Sequence, residues 1–206
     1  MKKLTLLGLL MATTFAYQAC AQSQGKTFSA VALAISADVI ITQGPHSYEV
    51  EGPEDAVKEV AITADGETLG IGLKKKVRNW RGRGVVVRVS MPSLKAISIG
   101  GSGNVTVEPG FNNLDRLELA IGGSGDINIQ GKANKVEISV AGSGDVDASG
   151  LDMQACEVSI AGSGDVKLGN AERLEVSIAG SGDVRYKGNP RLEKSIVGSG
   201  DVRRME

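Results

Sequence analysis

A short glycine-rich motif recurs along the second half of the chain. Gly-Ser-Gly-Asp occurs five times and Gly-Ser-Gly-Asn once, at residues 101–104, 123–126, 142–145, 162–165, 180–183 and 198–201. Successive serines are separated by 22, 19, 20, 18 and 18 residues, which is about the length of one coil of a solenoid. This spacing constrains residues 96–206 to a series of nearly identical structural units.

Apolar and polar residues alternate before each motif. The positions three and five residues before the serine are apolar in the first five units, as with Ile160 and Val158 before Ser163, and a valine or isoleucine follows three residues after each serine. Period-two alternation rich in β-branched residues predicts a strand with one buried face. Each unit therefore consists of a strand, a corner, a second short strand and a polar return. No segment shows the period and caps of a helical crossover.

Strands that repeat in this way form either antiparallel hairpins or stacked parallel coils. Identical corners once per unit favour stacking, because successive turns of a meander lie at opposite ends of the sheet, whereas each corner of a solenoid lies above the previous one. We predict an all-β fold, a single-stranded right-handed parallel β-helix with coils of about 18–22 residues. Residues 22–95 show less regular strands and turns, with one helical turn after Pro53, and are predicted to be early coils of the same stack. Residues 22–206 then form one domain, of which 96–206 are the regular part.

The corner residues are interpreted as structural. Glycine permits positive φ and close approach of neighbouring coils, and Asp or Asn accepts hydrogen bonds from turn amides. Calcium binding is the alternative, although glycine–aspartate β-rolls that bind calcium repeat about every nine residues. Repetition argues against catalysis, since an active site needs unlike groups at one place, and no metal or cofactor is expected. The polar corner residues are Ser102, Asn104, Ser124, Asp126, Ser143, Asp145, Ser163, Asp165, Ser181, Asp183, Ser199 and Asp201.

Two further columns are predicted on the outward face of the strands. A column of glutamates, four of five with a basic residue two positions earlier, is interpreted as a solvated ion-pair lattice, with a cation- or ligand-binding strip as the alternative. A column of serines forms a small, polar, flat face that either binds an extended polymer or satisfies its own hydrogen bonds. The glutamates are Glu118, Glu137, Glu157, Glu175 and Glu193, the basic residues are Arg116, Lys135, Arg173 and Arg191, and the serines are Ser98, Ser139, Ser159, Ser177 and Ser195.

The last coil places charges in the apolar rows. Lys194 stands where Val176 stands one coil earlier, and Arg204 where Tyr186 stands. We interpret these charges as a cap that opposes the addition of another coil or molecule to the stack.

The least repetitive segment is a basic cluster around the only tryptophan. Clustered cations beside an aromatic ring suit an anionic polymer, such as phosphorylated lipid headgroups or acidic glycan, and a solvated hairpin tip is the alternative. The whole chain has a net charge of −1, so no nucleic-acid partner is expected. This basic loop consists of Lys74, Lys75, Lys76, Arg78, Trp80, Arg81 and Arg83.

The N-terminus has the features of a signal peptide. Lys2 and Lys3 precede an apolar run, residues 4–16, that is too short to span a bilayer. We predict a signal peptide over residues 1–21 with cleavage after Ala21, and lipidation of Cys20 is the alternative. Cys156 is then the only thiol, so no intramolecular disulfide forms, and its place on an apolar row predicts a buried, inert side chain.

Several segments together resemble a known family. They are FSAV at 28–31, DVIITQG at 38–44, YEVE at 48–51, LGIGLKK at 69–75 and PSL at 92–94, followed by the repeated corners. The pattern resembles the putative auto-transporter adhesins with a head GIN domain, which are secreted or envelope proteins common in Bacteroidetes-type bacteria. The resemblance implies a β-helical, non-enzymatic protein of the periplasm, the outer-membrane surface or the extracellular space.

These observations lead to a functional hypothesis with one alternative. The expected function is a non-catalytic, adhesin-like binding module that presents a flat solenoid surface to an envelope or extracellular ligand, whether glycan, anionic lipid or protein, with a homo-oligomer as a further possibility. The alternative is a carbohydrate-active enzyme, a polysaccharide lyase or hydrolase, because such enzymes also use β-helices. The enzyme would need unrepeated carboxylate or basic groups that converge in a cleft.

Overall fold

The computed structural model describes residues 20–22, 27–75, 77, 80, 82 and 84–205. Within these residues the strands form one continuous sheet. The less regular part contains β1 (Cys20–Gln22), β2 (Ala30–Leu33), β3 (Asp38–Gln43), β4 (Ser47–Glu51), α1 (Glu54–Val57), β5 (Val60–Asp65), β6 (Thr68–Leu73) and β7 (Val86–Met91). The repeats contain β8 (Ala96–Ile99), β9 (Asn104–Val107), β10 (Leu114–Ile121), β11 (Ile127–Gly142), β12 (Val146–Gly162), β13 (Val166–Gly180), β14 (Val184–Lys187), β15 (Arg191–Gly198) and β16 (Val202–Arg204).

The sheet winds into stacked parallel coils, as predicted. The strand before each corner pairs in register with its equivalent one coil away, so that Ile138 lies beside Val158 and Val158 beside Val176. The strand after the corner does the same, with Val146 between Ile127 and Val166. The all-β solenoid is therefore confirmed.

The return between coils differs from the prediction. The polar return was predicted as a connection between two strands, but β11, β12 and β13 run through it as single strands of 16, 17 and 15 residues. Register shifts between Asn128 and Gln130 and between Ala148 and Met153 mark its irregular places. The return takes strand conformation because each backbone segment finds hydrogen-bonding partners in the coils above and below, whatever its own apolar pattern.

The early coils belong to the same sheet, but they do not stack in chain order. Strand β2 pairs with β6 on one side and with β8 on the other, and β3 lies likewise between β7 and β9. The chain therefore enters the stack at an internal coil and then builds the coil outside it. Antiparallel pairing of β4 with β7 and of β5 with β6 covers that end. The predicted helical turn after Pro53 is present as α1.

The core consists of rows of apolar side chains that run from coil to coil. Val136, Cys156 and Leu174 form one such row, and each is at most 3% exposed. None of the described polar or charged side chains is buried. In the last coil the rows open to solvent: Lys194 pairs with Val176 and Arg204 with Tyr186, and both charged side chains are exposed.

Candidate binding surfaces

The corners stack above one another, and both glycines of the motif make this possible. A Cβ at Gly142 would lie 2.2 Å from the carbonyl oxygen of Gly123, and one at Gly144 would lie 2.1 Å from that of Gly125, both in the preceding coil. In the last four motifs the first glycine also adopts positive φ, as at Gly142 with 150°. Any larger residue at either position has to push two coils apart.

The corner carboxylates bind the backbone of the following coil. Oδ1 of Asp145 accepts the N–H of Asp165 at 2.8 Å, and Oδ1 of Asp165 accepts the N–H of Asp183 at 2.9 Å. Asn104 takes the same place with its own oxygen, which accepts the N–H of Asp126 at 3.2 Å, while its amide donates to Asp38. These groups satisfy backbone donors from coil to coil. In the described part of the chain no group of three or more His, Cys, Asp or Glu residues could hold a metal ion.

The corner serines use their backbone rather than their hydroxyls. The N–H of Ser163 donates to the carbonyl oxygen of Gly142 at 2.9 Å, and the other motif serines from Ser124 onward bond in the same way. Their side chains are exposed, and within residues 84–205 their hydroxyls have no hydrogen-bond partner.

The structure describes only part of the predicted basic loop. Lys76, Arg78, Arg81 and Arg83 lie outside the described residues. Trp80 is half-buried, packs against the core and donates from Nε1 to the carbonyl oxygen of Ala56 at 3.2 Å, so its ring anchors the loop to α1. Lys74 donates to the carbonyl oxygen of Lys58, and Lys75 is exposed. Binding of an anionic polymer by this loop stays a prediction.

The glutamate column forms ion pairs at one end only. Arg116 contacts Glu118 at 2.9 Å and Glu137 at 2.7 Å, and Lys135 contacts Glu137 at 2.6 Å. The pKa of Glu137 lies below its ordinary value, chiefly because of the Lys135 hydrogen bond and the nearby Arg116 charge. Among the described residues, Glu157, Glu175 and Glu193 make no ion pair, so a lattice along the whole column is not formed.

Cys156 and His46, whose side chains are able to carry chemistry, both pack within the protein. Cys156 is 3% exposed, and burial, together with the adjacent Glu157 charge, raises the pKa of its thiol to about 12, as expected for an inert cysteine. His46 is half-buried: its ring packs edge-on against Phe28 at 5.0 Å, and its Nε2 lies 3.0 Å from the Phe28 carbonyl oxygen.

A groove with a polar rim crosses three coils on the return side of the solenoid. It has a volume of about 360 Å³ and an apolar floor formed by Leu114, Ala133 and Met153. Two of its rim carboxylates accept hydrogen bonds from asparagines one coil away, Asp115 from Asn134 at 3.2 Å and Asp152 from Asn170 at 3.0 Å. The rim of this polar groove consists of Asn112, Asn113, Asp115, Lys132, Asn134, Asp152 and Gln154.

A family model covers residues 27–190, which include the early coils and five of the six corners. Its description is "putative auto-transporter adhesin, head GIN domain". The chain belongs to this family.

Solved structures share the fold of this head GIN domain. A putative adhesin from Bacteroides fragilis is 22% identical, with a TM-score of 0.73 over 91% of this chain and 97% of the other. A putative lipid binding protein from Parabacteroides distasonis is 21% identical, with a TM-score of 0.71 over 92% and 96%. Comparison with curated proteins gave no match.

No helix in the described residues of the head GIN domain is long and apolar enough to cross a membrane. The predicted signal peptide lies mostly outside the described residues, and the expected cleavage site after Ala21 falls within β1, which pairs with β4.

The site that sequence reasoning missed is the polar groove. A signal was present in the sequence, because the aligned position in three neighbouring coils carries three different polar residues, Asp115, Asn134 and Gln154. The corner position, by contrast, is aspartate in five motifs and asparagine in one.

Proposed function

We propose that this protein is an exported, non-catalytic binding module of the cell envelope, and that the polar groove binds a glycan. The observation that carries the proposal is the set of amides without protein partners on the groove rim. Asn112, Asn113 and Gln154 line the groove, and no other described group hydrogen-bonds to their side chains. An amide offers both donors and acceptors, which matches the hydroxyl groups of a sugar.

The floor of the groove supports the same ligand class. Leu114, Ala133 and Met153 provide a narrow apolar strip between the polar rims, and a sugar ring has both C–H faces and hydroxyl edges. Polar groups around an apolar floor are the usual composition of a site for a small organic ligand. The groove is open at the surface and crosses three coils, so it suits a chain rather than a single enclosed sugar.

Hydrolysis by the two groove carboxylates does not fit their placement. Asp115 belongs to the coil of β10 and Asp152 to the coil of β12, two strand spacings apart and displaced by two residues along the strand. Strand geometry then separates their backbones by roughly 12 Å. Both side chains turn toward the next coil, Asp115 to Asn134 and Asp152 to Asn170, so this direction does not bring the carboxyl groups together. Glycosidase carboxylates lie about 5–9.5 Å apart. Each aspartate also accepts a hydrogen bond from an asparagine of a neighbouring coil, which suits a fixed binding rim.

A glycan-binding screen of residues 22–206 tests the proposal. The wild type should retain envelope polysaccharides without shortening them, and the double variant Asn112→Ala with Gln154→Ala should lose that retention while melting at the same temperature. The matched control is Ser139→Ala with Ser177→Ala, which removes two hydroxyls from the serine column. Retention lost only in the serine variant would move the site to that face. Failure of the wild type to bind any glycan, or release of shorter products, would overturn the proposed function.

Export is tested separately. The intact mass of the protein purified from its own envelope should correspond to a chain that begins at Gln22. A mass that includes a lipid on Cys20 would establish the lipoprotein alternative instead.

A further inference from the structure

A second set of outward side chains changes along the stack from neutral, through one acidic residue, to basic. Residues at one position of the strand after the corner are aligned from coil to coil by strand pairing. In order they are Thr106, Asn128, Asp147, Lys167, Arg185 and Arg203. The last three form what we call the cationic column. Adjacent strands lie about 4.8 Å apart, so three positive side chains originate within roughly 10 Å.

The cationic column is poorly neutralised by the protein. Arg185 and Arg203 share a single oxygen, Oδ2 of Asp183, at 3.6 and 3.8 Å. The other oxygen of Asp183 accepts the N–H of Asp201 at 3.0 Å. Lys167 is 3.8 Å from Asp147. All three distances exceed the 2.7–2.9 Å typical of a charge-assisted hydrogen bond.

The glutamate column of the same solenoid shows the opposite ratio of charges. There Arg116 binds two carboxylates, at 2.7 and 2.9 Å, whereas here one carboxylate serves two arginines at longer range. In addition, Nε of Arg185 is buried and has no hydrogen-bond partner. A buried donor without a partner is unfavourable, so Arg185 is held in place at a cost. Its side chain is still 35% exposed, and the exposed part of the guanidinium can accept an added ligand.

A fourth cation lies beside the column. Lys187 follows Arg185 by two residues on the same strand, and its Nζ donates to the carbonyl oxygen of Ser149 at 2.9 Å. Its charge and that of Lys167 contribute to lowering the pKa of Asp147, which places both cations near that carboxylate. Only two carboxylates, Asp147 and Asp183, lie within 4 Å of the three cations of the column. The corner aspartates Asp165 and Asp201 stand two residues before Lys167 and Arg203 and make no ion pair with them among the described residues.

We propose that the cationic column binds a phosphate group, with Arg185 and Arg203 as its principal ligands. Planar guanidinium groups match the oxygens of phosphate in a bidentate manner, and two stacked arginines present several parallel N–H donors. Lys167 and Lys187 add positive charge on the side of Asp147. The phosphate belongs either to a lipid headgroup or to a soluble phosphorylated molecule, and the site uses residues that the polar groove does not.

Two probes and two charge-matched variants test this site. Sedimentation with phosphatidylcholine vesicles, with and without phosphatidic acid, measures binding to lipid phosphate, and calorimetry with glycerol phosphate measures binding in free solution. Loss of charge-assisted hydrogen bonds in Arg185→Gln with Arg203→Gln should weaken binding at least about tenfold. The control, Arg173→Gln with Arg191→Gln, has the same net charge and should bind as the wild type does.

The outcomes distinguish a lipid phosphate from a soluble phosphate, and specific binding from nonspecific attraction to net charge. Binding to vesicles alone assigns a lipid phosphate, and binding of glycerol phosphate assigns a soluble one; both support the site if only the Arg185 and Arg203 variant loses it. Equal losses in both double variants would mean nonspecific attraction to net charge and would overturn the proposal, as would no binding of either probe. The exposed single variant Arg203→Gln should show a partial loss with an unchanged melting temperature, which guards against misfolding of the double variant.

Discussion

The corner and the outward columns belong to the same coils but are subject to different constraints. At the corner the backbone of one coil occupies the space of a side chain in the next, so a Cβ at Gly125, Gly144 or Gly164 would lie 2.0–2.2 Å from a carbonyl oxygen. The outward row that includes the cationic column has no coil packed against it, and there the aligned residues pass from Asn128 through Asp147 to Lys167. Contact between coils therefore restricts which residues can occupy a position of the solenoid. Positions without such contact can vary, and binding residues can arise there.

The largest effect should come from adding one methyl group at the corner. Gly144→Ala forces a backbone contact of 2.1 Å to relax, and overpacking of this kind costs about 1–3 kcal/mol or more. For a chain of this size the melting temperature should fall by roughly 5–10 °C. Gly100→Ala is the matched control, because no atom lies within 4 Å of its added Cβ. Equal melting temperatures for the two variants would contradict the steric account of the corner.

The aspartate ladder should give the next largest effect. Asp165→Ala removes the oxygen that accepts the N–H of Asp183 at 2.9 Å and should lower the free energy of unfolding by about 1–2 kcal/mol. Asp165→Asn keeps an acceptor and should cost clearly less, since Asn104 already fills this role beside Asp126. Urea denaturation of both variants measures the difference. If Asn proved as damaging as Ala, charge rather than hydrogen bonding would hold the ladder together.

The last coil tests whether residue type can also vary in the inward rows, because no further coil covers these rows at the end of the stack. Lys194→Val with Arg204→Tyr restores the residue types of the preceding coil beside the outer edges of β15 and β16, which no described strand pairs. We expect a shift to higher mass in sedimentation velocity as concentration rises. Ser195→Val with Arg203→Tyr alters outward neighbours and should have a weaker effect. Identical sedimentation of wild type and first variant would refute the capping interpretation.

The same contrast explains what could be read from the sequence. The buried rows, such as Ile138, Val158 and Val176, followed from the repeat because each motif fixes the register of the strand before it. The order of the early coils could not be read, since β2 and β3 choose partners from β6 to β9 through non-local contacts that carry no full motif. Asp38 takes the place of a corner residue there: it pairs with Asn104, and its Oδ1 accepts a hydrogen bond from the Asn104 amide.

The candidate sites were harder to predict than the fold, because the repeat identifies positions that stay the same from coil to coil. Aligned positions in the return and in the strand after the corner differ in charge from coil to coil, and both the polar groove and the cationic column lie at such positions. The segment that stood out by composition, the basic loop, has its tryptophan committed to α1. Local charge density could not reveal that contact, since Ala56 is 24 residues away in sequence.

The smallest effect should be the contribution of Asp147, beside the cationic column, to the pH dependence of stability. Partial burial alone would raise the pKa of Asp147, but hydrogen bonds from Ser149 and the charges of Lys167 and Lys187 outweigh it and hold the pKa below its ordinary value. A lowered pKa in the folded state means that ionised Asp147 stabilises the fold above the unfolded pKa of about 3.9, and that this contribution disappears as the pH falls through the folded value.

The difference in unfolding free energy between wild type and Asp147→Asn should therefore be present at neutral pH and disappear in acid. A gap for Asp147→Asn that stayed constant, or widened, on acidification would show that the neighbouring cations do not stabilise the ionised carboxylate, and would remove one support for the cationic column.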